Sequence, residues 1–219
     1  MIFNELKTLT ETFLTKLESC SEQIDEGHQF DWPNYVFKSH VFRRAHLDVV
    51  DVTITKKLYM VHLCIFPHRN DSSPIFGFDL IAGPKKITGV FHDFSAGVDK
   101  NHFMLEHFRH VTQGLEWSKK RTLPEWAQNI FSDNMIAAGN IQDENEMRTI
   151  FDLATSNLNY YLENVGSTIS NTTDSYPSQS YYCENQRKNP HTPKVMESLG
   201  FDADTVHKFI TECLFPEVS

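Results

Sequence analysis

The chain has 219 residues, 40% of them hydrophobic and 22% charged, with a formal net charge of −9. That length suits one domain burying roughly 70% of the surface its unfolded chain exposes, and no apolar run approaches the roughly 18–20 residues that span a bilayer. The acidic balance argues against general nucleic-acid binding. The N-terminal stretch carries Glu5 and Glu11 and lacks a basic-then-apolar leader pattern, so a cytoplasmic protein is expected. Cys20, Cys64, Cys183 and Cys213 lie far apart with no C-x-x-C pair. This speaks against a zinc ribbon or a disulfide framework and for free thiols, mostly buried.

Leu6, Leu9, Phe13, Leu14 and Leu17 recur at a helical period, predicting a helix over 2–20. Gly27 and Pro33 bracket a loop before a strand at 35–42. Strands are expected at 45–54, 58–66, 74–82 and 87–94. The first two of these are joined by Thr55-Lys56-Lys57 alone, a link too short for anything but an antiparallel hairpin. Gly83-Pro84-Lys85-Lys86 is a second tight turn, and 67–74 a longer polar loop. No glycine-rich phosphate loop follows any strand, so the meander is unlike a dinucleotide-binding unit. Leu63 and Ile65 oppose Met60 and Phe66 on the pleat, and a sheet apolar on both faces needs helices on both faces.

Those helices are predicted downstream. One starts within 101–114, and Leu123-Pro124-Glu125-Trp126 reads as a helix start with proline in its first turn. Asp143 is a plausible N-cap, with Glu146 completing a capping box, for a helix over 144–164 striped by Met147, Ile150, Ala154, Leu158 and Tyr161. Residues 166–180 read as a polar loop. A short helix follows, broken near Pro190, and a last one covers 203–214. The expected fold class is α/β, a three-layer α/β/α sandwich around a central antiparallel sheet, forming one domain over 1–219.

The strands carry ionisable groups where core residues belong. Asp48 shares a face with Val50 and Val52, His62 with Met60, Cys64 and Phe66, and Asp79 with Ile75 and Ile81. Burying a lone carboxylate costs several kcal/mol, so a chain keeps one there only when it is paired or functional. Each residue alone is ordinarily an edge or satisfied core group. Three on consecutive paired strands are instead a candidate site, in which two carboxyls beside an imidazole drive their pKa values apart. Metal ligation by His46, Asp48, His62 and Asp79 is the competing chemistry, although the H-x-D pair lacks a third ligand at a known spacing. No G-x-S-x-G elbow supports a serine hydrolase. An aromatic, apolar cleft for ligand carriage without redox chemistry is also compatible with 17 Phe, 7 Tyr and 3 Trp.

His46-Leu47-Asp48, Val61-His62-Leu63-Cys64-Ile65-Phe66-Pro67 and Pro74-Ile75-Phe76-Gly77-Phe78-Asp79-Leu80 resemble the ferredoxin-dependent bilin reductases, and within them the phycocyanobilin:ferredoxin oxidoreductases. Leu123-Pro124-Glu125-Trp126, the run Tyr182 to Asn189, Val195-Met196-Glu197 and Leu214-Phe215 extend the resemblance over roughly residues 40–216. It implies an α/β/α sandwich, a monomer, with biliverdin IXα held between the sheet and the C-terminal helices. It also implies no bound metal, flavin or other cofactor, electrons delivered singly by an external reduced [2Fe-2S] ferredoxin, and protons delivered by the protein. By that likeness Asp79 is the central proton donor and His62 its proton-sharing partner, able to change charge near physiological pH. Asp48 is the third catalytic residue, and His46, Asn189, Arg187 and Lys194 are substrate-binding candidates.

Two departures carry information. The resemblance places Glu, serving D-ring vinyl reduction, where this chain has Asp48. The side chain is therefore shorter by one methylene, about 1.5 Å on ordinary carbon–carbon geometry, enough to spoil a proton transfer that needs hydrogen-bond contact. Pro190 stands where many members have Asp after Asn189. The expected reaction is a four-electron reduction of biliverdin, with phycoerythrobilin favoured over phycocyanobilin. An acidic ferredoxin would dock on Lys56–Lys57, Lys85–Lys86 or Lys119–Lys120–Arg121, three basic clusters in predicted turns.

Overall fold

Seven strands run in strict sequence order across one sheet, β1-β2-β3-β4-β5-β6-β7, every neighbouring pair antiparallel. They are β1 (Glu22–Ile24), β2 (Asn34–Lys38), β3 (Phe42–Val52), β4 (Leu58–Pro67), β5 (Ile75–Ala82), β6 (Ile87–Ser95) and β7 (Ile136–Ala138). The computed structural model describes residues 2–28, 30–95 and 97–218. The expected strand at 35–42 divides: β2 stops at Lys38, and β3 has already begun at Phe42 after a turn in which the Ser39 hydroxyl accepts from Val41 N and Phe42 N. β1 and β7 are only three residues each, too short to show a period in the sequence.

The alternation of each strand divides its side chains between two cores. Leu47, Val61, Leu63, Phe78 and Leu80 face a large core with α1 (Ile2–Cys20), α2 (Phe103–Thr112) and α4 (Glu144–Asn164). Phe13 meets Phe78 edge to face at 5.4 Å, and Phe108 stacks on Phe94 at 4.9 Å. Val50, Cys64, Phe66 and Ile75 face a smaller core roofed by α3 (Glu125–Gln128), α5 (Tyr176–Gln186), α6 (His191–Leu199), α7 (Ala203–Lys208) and a π-helical turn, Phe209–Leu214. The three-layer sandwich expected from the doubly apolar strands is therefore present.

Four local readings change. Asp143 caps α4, accepting from Asn145 N and Glu146 N at 2.9 Å. Glu146, however, closes no capping box. Its carboxylate accepts from Ser118 N and the Ser118 hydroxyl, tying the preceding segment to the helix. The polar stretch 166–180 is a loop only to Ser175. It is pinned by the buried Asp71, which accepts from Gly166 N at 2.8 Å and the Thr168 hydroxyl at 2.6 Å. Pro190 is the N-cap of α6, whereas α5 has already ended at Gln186 with Arg187 as its C-cap. The last helix is α-helical only to Lys208 and widens to π geometry at 209–214.

Candidate active site

The register aligns the three polar strand residues. Asp48 pairs directly with His62 across β3–β4, and His62 with Asp79 across β4–β5. They form one row perpendicular to the strands on the face toward the C-terminal helices, with neighbouring Cβ atoms about 5 Å apart, as direct cross-strand pairs require. Along β5, Phe76, Phe78, Leu80 and Ala82 are buried while Gly77, Asp79 and Ile81 are only partly so. On β4, Leu58, Met60 and His62 are partly open and Cys64 and Phe66 closed. The residues of this face are thus closed from Cys64 onward and partly open toward the β3–β4 hairpin.

Each member of the row sits in a different environment. Asp48 is 4% exposed, and its Oδ1 accepts a hydrogen bond from the Trp32 indole N–H. Trp32 is clamped in an aromatic cluster with Phe30, Phe201 and Phe209, ring centroids 4.6–5.0 Å apart. Burial pushes the Asp48 carboxyl up to about 8, against the Trp32 hydrogen bond and with help from the Asp79 charge. Asp79 keeps part of its surface accessible, but protein surrounds it, and burial pushes its carboxyl up to about 7. It is therefore poised to hold or release a proton at neutral pH. Desolvation is the dominant cause in both carboxyls, because the charged form loses its water.

His62 behaves differently from the expectation of a group titrating near neutrality. Burial, with the Arg44 charge second, pulls it down to about 4, so in the free protein the imidazole is neutral and Asp79 holds the titrating proton. Its Nε2 is buried with no hydrogen-bond partner among the described residues, and its ring lies 5.8 Å from Phe215, edge to face.

The other candidates are dispersed. His46 is fully buried beneath the π-helical turn. Its Nε2 lies 3.0 Å from Asn34 Oδ1 and 3.4 Å from Cys213 Sγ, and its ring is 6.1 Å from that of His62. Arg187 donates from Nε to Phe215 O at 2.8 Å, binding the end of α5 to the C-terminal segment. Asn189 accepts from His191 N at 2.9 Å and so shapes the start of α6. Lys194 is exposed on α6. The structure brings Asp48, His62, Asp79 and His46 together and leaves these three on the roof.

Sequence reasoning missed Trp32, Asn34, Cys213 and the buried Arg44. The Arg44 guanidinium donates to both Glu26 oxygens at 2.8 and 2.9 Å and to Cys213 O at 2.7 Å, fastening the roof to the sheet edge. Among the described residues no three His, Cys, Asp or Glu side chains are gathered as a metal would require.

Two imidazoles and two carboxyls whose pKa values burial raises thus lie together on the face under the C-terminal helices. The family model for ferredoxin-dependent bilin reductases matches residues 2–216, and the chain belongs to that family. It is therefore an oxidoreductase whose class draws electrons from ferredoxin. Phycocyanobilin:ferredoxin oxidoreductase of Prochlorococcus marinus (strain MIT 9313) is 29% identical over 213 residues, covering 92% of this chain and 76% of the relative. The solved structure of PcyX is 32% identical, with a TM-score of 0.74 over 98% of this chain and 99% of that one. Tomato phytochromobilin synthase, solved with biliverdin, shares the fold at 14% identity, with a TM-score of 0.70 over 95% and 82%.

Proposed function

We propose that the enzyme reduces biliverdin IXα by four electrons to a phycobilin, with phycoerythrobilin favoured and phycocyanobilin the other outcome. Four reduced ferredoxins would each give one electron, and four protons would enter, so the product gains four hydrogens. The observation that carries the reading is the Asp48–His62–Asp79 row across three paired strands. Asp79 is the assigned donor, since burial leaves its carboxyl partly protonated at neutral pH and part of its surface is accessible. Neutral His62, whose Nε2 has no partner among the described residues, would share a proton with Asp79. His46 backs His62, and Asn189, Arg187 and Lys194 remain proposed contacts for the substrate's ends.

Asp48 carries the product assignment. Its carboxyl is held by the Trp32 indole and covered by an aromatic cluster, so a side chain already one methylene short is also turned to an internal partner. That supports loss of D-ring vinyl reduction and hence phycoerythrobilin. Anaerobic incubation with biliverdin and reduced ferredoxin, with products resolved by chromatography, tests it. Phycocyanobilin as the sole product refutes the Asp48 assignment. A lasting spectral shift on adding biliverdin, with no reduction, removes biliverdin as the substrate.

A further inference from the structure

Three basic clusters that are distant in sequence become one surface in the fold. The β3–β4 hairpin carries Lys56 and Lys57, and the β5–β6 hairpin carries Lys85 and Lys86. In an antiparallel meander alternate turns lie at the same end of the sheet, and these two do: the carbonyl of Lys57 lies 3.9 Å from where a Cβ on Gly83 would stand. The third cluster joins them at the far edge. Lys120 bridges Ala138 of β7, Gly139 N donates to Lys119 O at 3.0 Å, and the Arg121 guanidinium donates to Thr88 O at the start of β6.

The result is a basic rim across the sheet end, in a chain whose net charge is −9. Lys56, Lys57, Lys85, Lys119 and Lys120 are exposed and make no ion pair among the described residues. Ile54, 87% exposed at the tip of the β3–β4 hairpin, puts a bare aliphatic side chain among them. The nearest strand carboxylate, Asp51, is already neutralised by Lys7 at 2.8 Å. At the β7 side, Asp143 and Glu146 are occupied by the α4 cap and by Ser118. The partly open residues of the row's face also lie toward this end. Asp79 lies four residues before Gly83, so the catalytic row is about 13 Å from the rim along the strand.

We propose that this end of the sheet, the two lysine hairpins with the 119–121 segment and Ile54, is the docking surface for an acidic electron-carrier protein. The inference rests on the reading above that ferredoxin feeds the site. Complementary charge raises the encounter rate and fixes orientation, and Ile54 supplies the apolar contact that charge alone does not. The three clusters act together rather than as alternatives.

The test measures binding of an acidic [2Fe-2S] ferredoxin to the full chain by calorimetry at low salt, beside a separate biliverdin titration by absorbance. Reversing the rim with Lys56→Glu, Lys57→Glu and Lys85→Glu is expected to weaken ferredoxin binding at least tenfold and leave biliverdin binding unchanged. A control of equal net charge, Lys16→Glu, Lys38→Glu and Lys100→Glu at the opposite end, should bind like the wild type, whose affinity should fall as salt rises. Three results overturn the proposal: equal loss in both variants, no ferredoxin binding by the wild type, or a rim variant that loses biliverdin affinity alone. The last would assign the cations to the substrate's carboxylates. Failure of the wild type to reduce biliverdin while the rim still governs ferredoxin binding would instead reject the substrate and keep the surface.

Discussion

Asp79→Asn should make the protein more stable in alkaline solution and no more stable in acid. A carboxyl that titrates near 3.8 in the unfolded chain and at about 7 in the fold is protonated in the folded state where the unfolded state has already released its proton. The folded state then binds more protons between those values, so its stability falls as pH rises through that window and stays low above it. At about 1.36 kcal/mol per pH unit, the three-unit gap is worth at most about 4 kcal/mol. Asp79 keeps part of its surface accessible, so roughly 2 kcal/mol is the realistic figure. Asparagine keeps the shape and cannot ionise. Urea unfolding of both proteins at pH 5 and pH 8.5, an interval covering about two of the three units, should show the variant gaining about 1–1.5 kcal/mol at the higher pH over its offset at the lower. An offset equal at both values would mean that Asp79 ionises in the fold as easily as in water. The assignment of Asp79 as a neutral-pH proton donor would then fail. In the reductase assay the same variant should halt at a bilin radical visible by electron paramagnetic resonance, and full turnover would remove Asp79 from the mechanism.

Further expectations follow from neighbouring contacts. Asp48→Glu should move product toward phycocyanobilin, and the extra methylene beside the clamped Trp32 should cost about 1–3 kcal/mol of stability; an unchanged product ratio sinks the specificity argument. Trp32→Phe removes the hydrogen bond to a buried carboxyl, so a loss of about 1–3 kcal/mol in denaturant unfolding is expected, and no loss would show that the contact is unimportant. Glu26→Gln strands the buried Arg44 guanidinium with less than its pair of charged acceptors, and about 3 kcal/mol should be lost, read as a drop in the urea midpoint.

The central strands were legible because alternation is a strong signal, and because Asp48, His62 and Asp79 interrupt it on the face that the register later aligns. The two-sided burial of β4 correctly called for helices on both faces. Other features leave no periodic trace. β1 and β7 exist only by pairing with a longer neighbour. Trp32 sits in a proline-flanked loop, and nothing local shows that its N–H is aimed at a carboxyl 16 residues away. The depressed pKa of His62 comes from the density of protein around it, which sequence spacing cannot express. Glu146 fitted the capping-box spacing, but a tertiary partner, Ser118, took its carboxylate instead. The basic clusters could be found by inspection, whereas their union needed the order of the strands.

The meander has a consequence for how the site comes into being. Every strand of the floor pairs with the next one made, so the row of Asp48, His62 and Asp79 depends only on hairpins complete by residue 82. Such near-neighbour contacts form fast, and a chain folds from its N-terminus as it is synthesised. The cover comes from residues 176–215, pinned by Arg43 to Gln179, Arg44 to Cys213 and Arg187 to Phe215. Until that cover lands, Asp79 is expected to face water and to ionise as an ordinary acid. The raised pKa of Asp79 should therefore appear only once residues 176–215 have packed over the sheet, well after the strands of the floor have paired.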